Sequence, residues 1–163
     1  DEHGDKKEGV FIPKRHTFSC LNALVGGRVF PGVHHYARFD VVENEPRYRV
    51  SVTDKARNVI IQVDTEIQDG LQADSLFSSI DEVSSFFERG NIGYSPKSNT
   101  KGFEGLRFNC FEWKVYSMRA NHIKSNFFEN KKLFPKGSIH FDSALLMKNI
   151  HHEWHSMKPL CCA

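Results

Sequence analysis

Over Arg47–Thr53 the chain alternates with a period of two: Tyr48, Val50 and Val52 interleave with Arg47, Arg49 and Ser51. Successive side chains of a strand point to opposite faces, so this segment predicts a strand with one buried and one wet face. Ala37–Glu43 carries a similar pattern, and the connector Asn44-Glu45-Pro46 is made of turn residues, so the two segments predict a hairpin. Asn58–Ile67 predicts a third strand, with Val59, Ile61 and Val63 opposite Ile60, Gln62 and Asp64. Further strands are expected at Val10–Ile12, stopped by Pro13, and at Cys110–Val115, where Phe111, Trp113 and Val115 alternate with Cys110, Glu112 and Lys114. Met118–Phe128 and Ser143–Lys148 complete the set.

The period lengthens once. Leu76, Phe77, Ile80, Val83 and Phe87 recur at spacings of three and four, which places them on one helical face, with Glu88 and Arg89 outward. Ser79 followed by Glu82 fits a capping box and Gly90 offers a C-terminal stop, so an amphipathic helix of about three turns is expected. Between these elements lie a turn-rich stretch (Gly26-Gly27, then Pro31-Gly32, framing Arg28 and Phe30), a polar loop over Asn91–Gly105 and a turn over Lys131–Gly137. There is no internal repeat and no low-complexity tract. Many strands and one clear helix predict a mainly β fold, a barrel or sandwich with a helical plug, in preference to alternating βαβ units.

The length of 163 residues suits one domain, expected over residues 10–158, behind a mixed-charge segment at residues 1–9 that reads as a mobile terminus. Fourteen Phe, large and without a polar tip, belong in a core or a pocket. The 22 Lys and Arg nearly balance 20 Asp and Glu, and a net charge of +2 is too small for phosphate-driven binding, so no nucleic-acid partner is expected. Lys101–Phe108 superficially matches an RNA-recognition strand but has Gly105 where a stacking aromatic is required. No stretch approaches the ~20 apolar residues of a membrane span, and the charged start is unlike a secretory signal, so no membrane association is expected. Cys20, Cys110, Cys161 and Cys162 lack metal-type spacing and read as free thiols in a reducing compartment, which makes the cytoplasm the expected location.

Four stretches carry a family resemblance: Gly26-Gly-Arg-Val-Phe-Pro-Gly-Val-His-His35; Phe86-Phe87 followed by Gly93-Tyr94-Ser95; Phe134-Pro135 with Gly137-Ser138; and Phe141–Met147 running into His152-Glu-Trp-His155. In this order and spacing they resemble the uncharacterised YqjF-like branch of the acetoacetate decarboxylase-like superfamily, over roughly Val10 to His155. The resemblance implies an antiparallel β-barrel with one amphipathic helix around a small apolar cavity. It also leaves room for an N-terminal segment that members of the branch usually carry and this sequence lacks. In true acetoacetate decarboxylases a pocket lysine forms a Schiff base with a β-keto acid, and it must be neutral to attack. Here the comparable stretch reads Pro31-Gly-Val-His34-His35-Tyr36, with no Lys between Arg28 and Asp40. Imidazole cannot form an imine, so Schiff-base decarboxylation is disfavoured.

His34 and His35 are then the candidate catalytic residues, as a general base or an orienting donor; in an extended stretch only one of them can enter a cavity. Arg28 suits a ligand carboxylate and Tyr94 could line the cavity, its plain alternative being a packed ring with an exposed tip. His152 and His155 are further ligand-binding candidates. With His151 and Glu153 they invite a zinc reading that distal His35 or His140 would complete, but the zinc-protease motif puts Glu where His152 stands. A structural cluster with Trp154 is the better reading, and neither metal nor another cofactor is expected. The functional expectation is a small-molecule barrel binding an organic acid or carbonyl compound, with lyase-like acid–base chemistry if it is active. The alternatives are a non-catalytic binding or interaction module and a metal-dependent hydrolase. A small organic ligand is the expected partner, and a homo-oligomer is left open.

Overall fold

The computed structural model describes residues 9–25, 32–97 and 102–160; most of the charged start, Arg28, Cys161 and Cys162 lie outside them. In chain order the elements are β1 (Val10–Phe11), β2 (Arg15–Thr17), α1 (Cys20–Val25), β3 (His34–Tyr36), β4 (Arg38–Asn44), β5 (Arg47–Thr53), β6 (Val59–Ile67), α2 (Ile80–Arg89), β7 (Ile92–Pro96), β8 (Phe103–Cys110), β9 (Tyr116–Ser125), β10 (Ala144–Leu146) and β11 (His152–Ser156). The protein is mainly β, as the alternation predicts. Its chain divides into two units: the described parts of Asp1–Tyr36, Ser85–Trp113 and Asn149–Ala163 form one, and Ala37–Ser84 with Lys114–Lys148 form the other.

The second unit is built on the segments whose periodicity is clearest. β4 and β5 form the expected hairpin, in register from Arg38↔Thr53 to Asn44↔Arg47, and the five-stranded antiparallel sheet runs β10-β9-β6-β5-β4. Tyr48 and Val52 are buried on one face of β5, while Arg47 on the other face reaches across to Asp64 of β6 through two hydrogen bonds of 2.8 and 2.6 Å. The start of β9 lies between β6 and β10, and there Ser117 and Met118 are both buried. Lys148, just past β10, donates to the Tyr48 hydroxyl and to Glu45, and these bonds, the first above all, hold its ammonium above its ordinary value.

The first unit contains elements the sequence pattern hides. Its four-stranded sheet runs β1-β7-β8-β11, with β1 parallel to β7 and the other pairs antiparallel; β2 and β3 form a separate two-stranded parallel ribbon. The polar loop expected over Asn91–Gly105 is therefore corrected: it holds β7 and the start of β8. These segments have few apolar side chains, and β7 is a strand because it is paired on both sides. Conversely, Phe111–Val115 is not in a strand. Its aromatic alternation reflects ring packing, with Phe111 stacked on His151 at 4.6 Å and Trp113 edge-on to Phe108 at 6.2 Å.

Helix α2 begins where the capping signal places it. Ser79 Oγ accepts the Glu82 amide at 3.1 Å, but the Glu82 carboxylate takes the amide and hydroxyl of Ser78, one residue before the cap. Val83 is fully buried, whereas Leu76 lies before the helix and is 88% exposed, so the expected five-residue apolar face shrinks. Asp142 holds the segment leading into the helix, accepting from the Ser75 hydroxyl and the Leu76 amide. Both larger sheets are open, with β1, β11, β4 and β10 as edges, and no closed barrel is found among the described residues.

Candidate functional site

His34, His35 and Tyr36, which follow the Gly-rich stretch of the sequence, form β3, and the register of β3 on β2 decides which side chains meet. Arg15 pairs with His34, His16 with His35 and Thr17 with Tyr36. Alternation then puts Arg15 and His34 on one face of the ribbon and His16 and His35 on the other. The two candidate histidines thus serve different surfaces.

On the first face the Arg15 guanidinium is the centre. Its Nε donates to the buried Ser95 hydroxyl at 2.9 Å, and its Nη2 is buried with no hydrogen-bond partner among the described residues. Burial pushes the guanidinium below its ordinary value, and the nearby Glu104 carboxylate pulls it back up. Glu104 is itself engaged, accepting the Gly32 amide at 2.6 Å. Gly32 has φ +80°, and a Cβ there would stand 2.7 Å from Arg15 Nε, so this position needs glycine for its backbone and for the close approach. The His34 Nδ1 lies 3.0 Å from the Gly32 carbonyl oxygen. A carbonyl only accepts, so Nδ1 is the donor in this pair, and it is the neutral imidazole whose Nε2 keeps a lone pair for a general base or a hydrogen-bond acceptor.

On the other face His16 and His35 lie with ring centroids 5.9 Å apart. Burial, then the charges of His35 and Lys14, lower the His16 pKa, while His35 itself is exposed. Tyr94, on β7, packs its ring over Gly9 and Gly105, where a Cβ would come within 2.7 and 3.0 Å of it. Its neighbour Ser95 is the residue of that motif that touches Arg15.

His152 and His155 both lie on β11, three residues apart and so on opposite faces. His152 joins an aromatic cluster with Phe108 and Trp154 at 5.3 and 6.5 Å, and its Nδ1 lies 3.1 Å from the Ile150 carbonyl oxygen. His155 Nε2 is 3.0 Å from Glu153. No group of three His, Cys, Asp or Glu side chains positioned for a metal ion is found among the described residues. Arg28 lies outside them. Sequence reasoning missed Arg15, His16 and Glu104, whose part depends on contacts such as Arg15 to Ser95, 80 residues apart. The one available signal was Ser95, inside the Gly93-Tyr94-Ser95 motif.

No helix among the described residues is long and apolar enough to cross a membrane. No protein-family model, curated protein or solved structure matches the chain.

Proposed function

We propose that the protein binds a small organic acid whose carboxylate docks on Arg15, with His34 beside it as the acid–base or orienting group. The observation that carries this reading is the buried Nη2 of Arg15. A buried donor without a partner costs about 1–3 kcal/mol, and more when charged, so an incoming carboxylate recovers energy the free protein forgoes. The acetoacetate decarboxylase-like superfamily, and the closed barrel that goes with it, are part of the same proposal and rest on the motifs quoted from the sequence. Binding is favoured over Schiff-base chemistry because the lysine next to Arg15, Lys14, is exposed, and its charge acts on His16, on the opposite face.

Acetate, pyruvate and acetoacetate titrated into the full chain, followed by NMR, test the reading. At least one should shift the amides around Arg15, His34 and Ser95, and Arg15→Gln should weaken that binding by about tenfold or more. His34→Gln should weaken it less, or abolish turnover if the acid is consumed. Unchanged binding in Arg15→Gln would remove the assignment.

A further inference from the structure

A second site lies in the other unit, on the polar face of the five-stranded sheet. A half-open depression of about 400 Å³ is lined there by residues that include Asp40, Arg49, Ser51, Gln62, Asp64 and His122, none of them buried. The size falls in the range of about 300–1,000 Å³ typical of small-molecule pockets. Register explains why these side chains meet: Asp40, Ser51 and Gln62 form one cross-strand row, and Val42, Arg49, Asp64 and His122 form the next.

The charges in this floor are not all spent on one another. Asp64 faces Arg49 across the β5–β6 ladder, yet both its oxygens are bonded to Arg47 of β5. Arg47 is therefore the main partner of Asp64, and the charge of Arg49 acts on it more weakly, without a bond. Arg49 makes no hydrogen bond or ion pair among the described residues, and neither does Asp40. What remains in the lining is one guanidinium and one carboxylate on adjacent strands, with the His122 imidazole and, in Ser51 and Gln62, a hydroxyl and an amide beside them; Arg38 and Lys124 stand on the same face of the sheet, outside the lining. A doubly negative phosphate would meet Asp40 as well as Arg49, and an apolar ligand would strip water from both ions without replacing it.

We propose that this depression binds a zwitterion of the α-amino-acid type, its carboxylate on Arg49 and its ammonium on Asp40. Arg49 and Asp40 are diagonal neighbours, a relation that sets residues about 7–8 Å apart with their Cβ atoms somewhat closer, and the two side chains can hold such a molecule with a hydrogen bond of about 2.8 Å at each end. Ser51 and Gln62 can bond either end, and the ligand side chain lies toward Val42. The site shares no residue with the one centred on Arg15 and stands or falls separately from it.

The test is a titration of the ¹⁵N-labelled full chain with a panel of common L-amino acids, with acetate and methylammonium as single-charge controls. At least one amino acid should shift the amides of residues 40, 49–51 and 62–64, and neither control should reproduce the effect. Arg49→Gln and Asp40→Asn should each weaken binding by about tenfold or more, while Arg15→Gln leaves it unchanged. Both variants alter exposed side chains, so the dispersion of their spectra reports whether they fold. The proposal is overturned if no amino acid moves these amides, if acetate alone binds as well, if both variants bind like the parent, or if the shifts gather around Arg15 and Ser95 instead.

Discussion

Gly32 shows how much one residue can decide here. It supplies a left-handed backbone, its amide fixes Glu104, its carbonyl orients His34, and its missing side chain admits Arg15. Gly32→Ala should therefore cost about 1–2 kcal/mol from the backbone alone, with a further loss as Arg15 is pushed off Ser95. Thermal melts would show the first, and a drop in carboxylate affinity beyond that of a merely destabilised protein would show the second. The sequence already marks this stretch as special through its glycines and paired histidines, and it dictates that the histidines diverge. It cannot say which one faces a ligand, because that depends on β2 pairing in parallel with β3. Arg15 is illegible for the same reason: nothing in Lys14-Arg15-His16 distinguishes it from a solvated arginine until Ser95 and Glu104 are brought to it.

Among the elements, the legible ones are those whose side chains alone specify two faces. β4, β5 and β6 alternate over seven to nine residues, and each was readable to within about a residue. β7 and β8 were not, because Gly93, Ser95 and Gly105 contribute no apolar side chain to the pattern, Pro96 argues against a strand, and their strand state comes from neighbours. Helix α2 was legible from its start signal more than from its apolar stripe. Ser79→Ala should accordingly destabilise the protein by about 1 kcal/mol in urea unfolding, through the orphaned Glu82 amide, with little change in the slope of the transition. A neutral result would mean that the Ser78–Glu82 bonds hold the helix start without the cap.

For the whole molecule the pH dependence follows from its carboxylates. Asp64 is held below its usual range first by its bond from Arg47, Asp142 by Ser143 and the Leu76 amide, Glu82 by Ser78, and Asp54 by Asn58. In each case the folded pKa is lower than the unfolded one. The stabilisation is thus fully present above the ordinary carboxylate values near 4 and is lost as pH falls through the folded values. Melting temperatures should be level above about pH 7 and should fall steeply only below about pH 5, and Asp142→Asn should flatten part of that fall. His16, lowered by burial, adds a shallower loss that begins earlier, as pH drops below its ordinary value near 6.5.

The two units also interleave along the chain, and this bears on how each sheet is completed. Every paired strand of the five-stranded sheet lies between Arg38 and Leu146, so that sheet is completed within one span of chain. The other sheet takes its first strand from Val10–Phe11 and its last from His152–Ser156. Until β11 pairs, β8 presents an open edge beside the aromatic rings that β11 covers. The folding chain is most exposed to aggregation at that edge, in the interval before the distant strand docks.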